Sequence, residues 1–126
     1  HEGAEAAGLE SPVALAVTVL TSDGTAPAHI VPNRVRAALE GGCGGLVLAA
    51  TDLATARELA PGLRRVVPGI RPVGSPVHDQ ARAATPEQAS ADGADLLVIG
   101  RAVTAADDPA ASAAGIAASV ARQLTP

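Results

Sequence analysis

Four short apolar runs punctuate the chain, at residues 13–20, 45–50, 63–67 and 95–99, with segments of helical pattern between them. None alternates apolar with polar positions, which is how strands buried on both faces of a parallel sheet read. The intervening helices carry their own start and stop signals. Pro32 opens a segment that reaches Glu40 and stops at Gly41-Gly42, and Asp52 caps another through Leu59, ended by Pro61-Gly62. Thr85-Pro86-Glu87-Gln88 combines an N-cap, a proline at the first helical position and a capping-box glutamine, with Gly93 as the stop. Asp108-Pro109 repeats the cap-proline signal before a last helix reaching Leu124, and residues 2–9 read as the tail of one more helix. This order, β-α four times over, predicts parallel strands joined by right-handed crossovers.

Four βα units are half of a (β/α)₈ barrel, and an open doubly wound sheet is the other topology that the pattern allows. In both, ligands sit beyond the carboxyl ends of the strands. The run-ends Leu20-Thr21-Ser22-Asp23, Ala50-Thr51-Asp52, Pro68 onward and Gly100-Arg101 are polar or rich in Gly and Pro, as a site-bearing rim should be.

Composition changes this picture in several ways. The 126 residues are at most one ordinary domain, and 48% hydrophobic content argues for a folded core. That core has no Phe, Tyr, Trp or Met, so Ala, Val, Leu and Ile carry it. The missing aromatics are the largest single contributors to a core, which suggests part of a larger assembly; an unusually Ala-rich domain is the alternative. The net charge of −4 disfavours a general nucleic-acid binder. All nine cations are Arg, the side chain suited to bidentate phosphate contacts. The single Cys43 permits no internal disulfide and fits a reducing cytoplasm, and no apolar run is long enough to span a membrane. The chain opens at His1 without Met, which reads as something other than a native start.

Candidate chemistry concentrates in two places. Residues 68–82 form a connection far longer than the usual βα loop, with Gly69, Gly74, three prolines, Arg71, His78, Asp79, Gln80 and Arg82. It has no evident apolar anchor, so it is expected to move when empty and to order on a ligand. Gly100-Arg101 directly follows an apolar run, where backbone amides and a guanidinium can meet an anion. His29 and His78 have no metal-ligand spacing and read as solvated loop histidines, and Cys43 reads as structural. Asp52 reads as a cap, and Gly41-Gly42-Cys43-Gly44-Gly45 as a turn at the end of the sheet away from the rim.

Taken together, Pro68-Gly69-Ile70-Arg71-Pro72, Asp79-Gln80-Ala81-Arg82, Thr85-Pro86 and Val98-Ile99-Gly100-Arg101-Ala102-Val103-Thr104 resemble the phosphate-binding end of the orotidine 5'-phosphate decarboxylase family. Ala16-Val17-Thr18-Val19-Leu20-Thr21-Ser22 resembles that family's fifth strand. The resemblance implies an α/β chain forming the C-terminal part, residues 1–126, of a single (β/α)₈ TIM-barrel domain, as roughly its last four βα units. It implies decarboxylation of orotidine monophosphate to uridine monophosphate and CO₂, with no metal or organic cofactor, by a cytoplasmic homodimer. By the same resemblance Thr21 contacts the pyrimidine, Arg71 is the loop arginine and Gln80 grips the phosphate. Gly100 and Arg101 would hold that phosphate by amide and guanidinium. The family's Asp-x-Lys-x-x-Asp motif is absent, and the chain has no lysine at all, so no catalytic residue is assigned in it. His1 resembles the family's histidine at the end of strand four, without the Gly-Gly and Met that follow it there. The chain made alone is therefore expected to be inactive, and to associate or partly unfold. A non-catalytic half-barrel that binds phosphorylated ligands is one rival reading; another sugar-phosphate barrel enzyme, such as a keto-sugar phosphate decarboxylase or an isomerase, is a second.

Overall fold

A computed structural model describes residues 2–73 and 82–124. Four parallel strands, β1 (Leu15–Val17), β2 (Gly45–Val47), β3 (Arg64–Val67) and β4 (Leu96–Leu97), form one sheet in sequence order. Around them run α1 (Glu2–Ala6), α2 (Ile30–Glu40), α3 (Leu53–Leu59), α4 (Pro86–Ala91), α5 (Arg101–Thr104) and α6 (Pro109–Leu124), with a single 3₁₀ turn at Ala50–Asp52. Each expected strand and helix is present. The strands are shorter than the apolar runs, although ladder bonds continue past their ends, as from Thr18 N to the Val47 carbonyl, Leu48 N to Val66 and Val98 N to Val67.

Register explains which apolar residues are buried. Val17, Val47, Val66 and Leu96 are aligned across the sheet, and so face one way. The residues one step on, Thr18, Leu48, Val67 and Leu97, face the other way, where the helices lie. There Leu48 and Val67 are fully buried, packed with Val35, Ala38, Leu53, Ala56 and Ala89. In α2 the buried positions Val31, Val35 and Ala38 fall at helical spacing, which turns one stripe to the sheet. On the opposite face Leu15, Val17, Leu96 and Val98 are exposed at 43–56%. This bare face is the unclosed apolar interior that four βα units of a barrel leave when they stand alone. The edge strands β1 and β4 are covered on one face only, because every helix packed on the sheet packs on the same side.

Local signals held in part. Thr85 Oγ1 accepts from Gln88 N at 3.1 Å and Pro86 sits in the first turn of α4. The capping box is not completed, since Gln88 Nε2 turns forward to Asp92 Oδ2 at 2.9 Å. Asp108 Oδ1 accepts from Ala111 N at 2.9 Å at the start of α6. Helix α2 begins at Ile30, two residues ahead of Pro32. The glycine-rich segment before β2 is a turn, as expected. A Cβ on Gly45 would sit 2.6 Å from Leu15 Cδ2 and 2.8 Å from the Arg64 carbonyl, so glycine here lets β1 and β3 close in on β2. Cys43 is half-buried against the core and His29 is exposed. No helix among the described residues is long and apolar enough to cross a membrane.

Candidate functional site

Because all four strands are parallel, their carboxyl ends share one edge of the sheet. Thr21 lies four residues past the end of β1, Arg71 four past β3 and Arg101 four past β4. Topology alone thus sets three of the sequence-predicted residues along one rim.

The β3–α4 connection is folded back on itself there. Gly69 has φ of 76°, a left-handed conformation that glycine adopts without penalty. Arg71 N donates to the Ala84 carbonyl at 2.9 Å and Ala84 N to the Gly69 carbonyl at 3.4 Å, while Ile70 and Ala84 form a parallel bridge. Ile70 is fully buried in the core. The expectation that this connection has no apolar anchor is corrected: Ile70 fixes its outgoing arm. Gln80, His78 and Asp79 lie outside the described residues.

Thr21 and Arg71 are buried, at 7% and 8% exposure. The Arg71 Nη1 donates to the Ile70 carbonyl at 3.0 Å, and its Nε is buried with no hydrogen-bond partner among the described residues. Neither of the two ion pairs among those residues includes Arg71. A guanidinium withdrawn from water without a counter-charge costs several kcal/mol, a cost that an incoming anion would offset. Gly100 and Arg101 are exposed at the same rim, where Gly100 precedes the short helix α5. Ser112 Oγ donates to the Ala102 carbonyl at 2.9 Å and ties α6 to this helix.

Two residues whose roles sequence reasoning missed complete the rim. Asp52 makes no side-chain cap on α3. Its Oδ2 instead accepts from Arg82 Nη1 at 2.7 Å, which corrects the reading of Asp52 as a helix cap. The Arg82 Nη2 donates to the carbonyls of Val19 at 3.3 Å and Leu20 at 3.1 Å, and its amide donates to the Thr21 carbonyl at 3.1 Å. The only signal for this pairing was that opposite charges stood at two run-ends. Asp23, beside them, accepts from the amide and hydroxyl of Thr25 at 2.9 and 3.0 Å. Those bonds hold its carboxyl below the ordinary aspartate value, with the nearby Arg82 charge adding to the effect.

Among the described residues no group of three or more His, Cys, Asp and Glu could hold a metal ion. A groove of about 770 Å³ runs beside the free edge of β4, lined by Leu96, Leu97, Ile99, Val103, Ile116 and Val120 among others. It is mainly apolar and separate from the rim's charged groups, so size alone does not mark the site. What the described rim residues offer is binding: a buried guanidinium, a second arginine and a buried threonine.

Comparison with known proteins identifies the family. The profile of the orotidine 5'-phosphate decarboxylase / HUMPS family matches residues 2–116. An orotidine 5'-phosphate decarboxylase of Thermobifida fusca (strain YX) is 46% identical, over 82% of this chain and 49% of its own length. Among solved structures, an orotidine 5'-phosphate decarboxylase from Lactobacillus acidophilus superposes with a TM-score of 0.71 at 29% identity, covering 90% of this chain and 51% of the other. An orotidine 5'-monophosphate decarboxylase from Sulfolobus solfataricus gives 0.73 at 19% identity, covering 98% and 54%, and speaks for the fold alone. The chain spans about half the length of the curated relatives it matches.

Proposed function

The chain belongs to the orotidine 5'-phosphate decarboxylase / HUMPS family, as four βα units of a TIM barrel, and from that premise we propose that it supplies the nucleotide-binding half of an orotidine 5'-phosphate decarboxylase. The observation that carries the proposal is Arg71: a buried guanidinium with no carboxylate partner among the described residues, on the same rim as the buried Thr21. In this reading Thr21 reads the pyrimidine, and Arg71, Gln80, Gly100 and Arg101 take the phosphate. The substrate is orotidine monophosphate and the products are uridine monophosphate and CO₂. The reaction is run without metal or organic cofactor in a cytoplasmic homodimer.

The chemical step needs a proton for the ring carbon as CO₂ leaves. No lysine exists in the chain to deliver it, and an arginine keeps its proton at neutral pH. In this reading the donor is the lysine of the family's Asp-x-Lys-x-x-Asp motif, which this sequence lacks. The test is to assay orotidine monophosphate decarboxylation by the chain alone and by the chain supplied with the other four βα units of a relative, covalently or in trans. Turnover is expected only from the completed barrel. Turnover by the chain alone would overturn the assignment of the proton donor.

A further inference from the structure

The proposed ligand contacts leave Arg82 without a role, yet its side chain makes four hydrogen bonds to other described residues. Its Nη1 donates to Asp52 Oδ2 at 2.7 Å and to Thr51 Oγ1 at 3.4 Å, after β2. Its Nη2 and its amide donate to three successive carbonyls, Val19, Leu20 and Thr21, after β1. Arg82 itself stands two residues before Ala84, whose carbonyl accepts from Arg71 N. One residue thereby ties the connections that follow three different strands. A lysine could keep the contact with Asp52, but a single ammonium on a flexible stem cannot hold a carboxylate on one side and two carbonyls on the other as a planar fork does.

We propose that Arg82 is a positioning residue: it clamps the end of β1 so that Thr21 meets the base of a bound pyrimidine nucleotide, with Asp52 orienting the guanidinium. This inference rests on the reading of Thr21 as the base contact. It assigns Arg82 no contact with the ligand. Its effect should therefore fall on recognition of the base and spare the phosphate, which Arg71 and Arg101 would hold from β3 and β4.

The experiment titrates uridine monophosphate and ribose 5-phosphate into the barrel completed with the other four βα units of a relative, and into its Arg82→Lys and Asp52→Asn variants, followed by amide NMR with hydrogen exchange. Arg82→Lys should cut the preference for uridine monophosphate over ribose 5-phosphate by roughly tenfold, the scale of one lost hydrogen bond, with ribose 5-phosphate binding nearly unchanged. Asp52→Asn, which keeps an oxygen for Arg82, should act in the same sense but less. A general loss of structure would weaken both ligands together, and that result overturns the proposal. The amide of residue 82, bonded to Thr21, should also lose protection in Arg82→Lys. Should the unmodified barrel bind neither ligand, the nucleotide reading falls. The clamp is then judged by that exchange alone, and undiminished protection at residue 82 in the lysine variant overturns it.

Discussion

Two arginine–aspartate pairs mark the opposite ends of the sheet, and they do different work. Away from the rim, Arg65 Nη2 lies 2.9 Å from Asp95 Oδ2, while the Arg65 amide and Nε donate to the same oxygen at 2.7 and 3.0 Å. Asp95 N returns a bond to the Arg65 carbonyl at 2.9 Å. This pair joins the second residue of β3 to the residue just before β4, and it fixes the register that sets Val66 beside Leu96. At the rim, Arg82 and Asp52 join loops, spanning connections rather than strands. The Asp95 side chain is 40% exposed and the Asp52 side chain 14%. Water can therefore replace Arg65 as a partner far better than it can replace Arg82. A barrel end that carries only stability tolerates a solvated pair; the rim holds its charges out of water, where each orients its neighbour.

The contrast is broken most directly by removing the two cations in turn. Arg82→Ala leaves a largely buried carboxylate unpaired and should cost about 2–4 kcal/mol, toward the scale of breaking a buried pair. Arg65→Ala should cost less than about 1 kcal/mol, because Asp95 is solvated and the pair is screened. Urea unfolding of the two variants measures both values, and equal losses would erase the distinction between the ends.

A second effect concerns the uncovered face between the two ends. Leu15, Val17, Leu96 and Val98 present apolar surface to water, and β1 and β4 each have an unpaired edge among the described residues. The chain alone should associate at micromolar concentration by sedimentation, and Val17→Glu should shift it toward monomer while leaving Arg71 and Arg101 untouched. Unchanged association in that variant would place the contact elsewhere.

The smallest effect sharpens the comparison by pH. Burial pushes the Asp95 carboxyl up, but the opposing hydrogen bonds and charge of Arg65 prevail and hold it below its ordinary value of 3.8. A carboxyl lowered in the folded state contributes stability that is present above the unfolded value and lost as pH falls below it. Unfolding free energy should therefore fall somewhat more steeply below about pH 4 in the native chain than in Asp95→Asn. Parallel acid profiles would remove Asp95 from the account.

These residues also show what could be read without coordinates. The β-α order, the caps at Thr85 and Asp108 and the rim positions of Thr21, Arg71 and Arg101 are local: each is set by periodicity, by a neighbour three residues away or by parallel topology. The Asp52–Arg82 pair is not local. Thirty residues separate its members, and Asp52 carries the same cap-like context as Asp108, so only the tertiary fold separates the two roles. The open face is ambiguous in the strand pattern for a related reason. An unbroken apolar run looks the same whether its second face is covered by this chain or left bare, and only the register, with Val17 and Leu96 in one row, tells them apart.

The central claim, that this rim holds a nucleotide by its phosphate, is tested most directly at Arg101, which is exposed and can be altered without disturbing the core. Calorimetry on the completed barrel would compare uridine monophosphate with uridine, for the native sequence and for Arg101→Ala. The expected result is a loss of roughly 2–4 kcal/mol for uridine monophosphate and little change for uridine, the mark of a charge-assisted phosphate contact. Equal losses for the two ligands would contradict it.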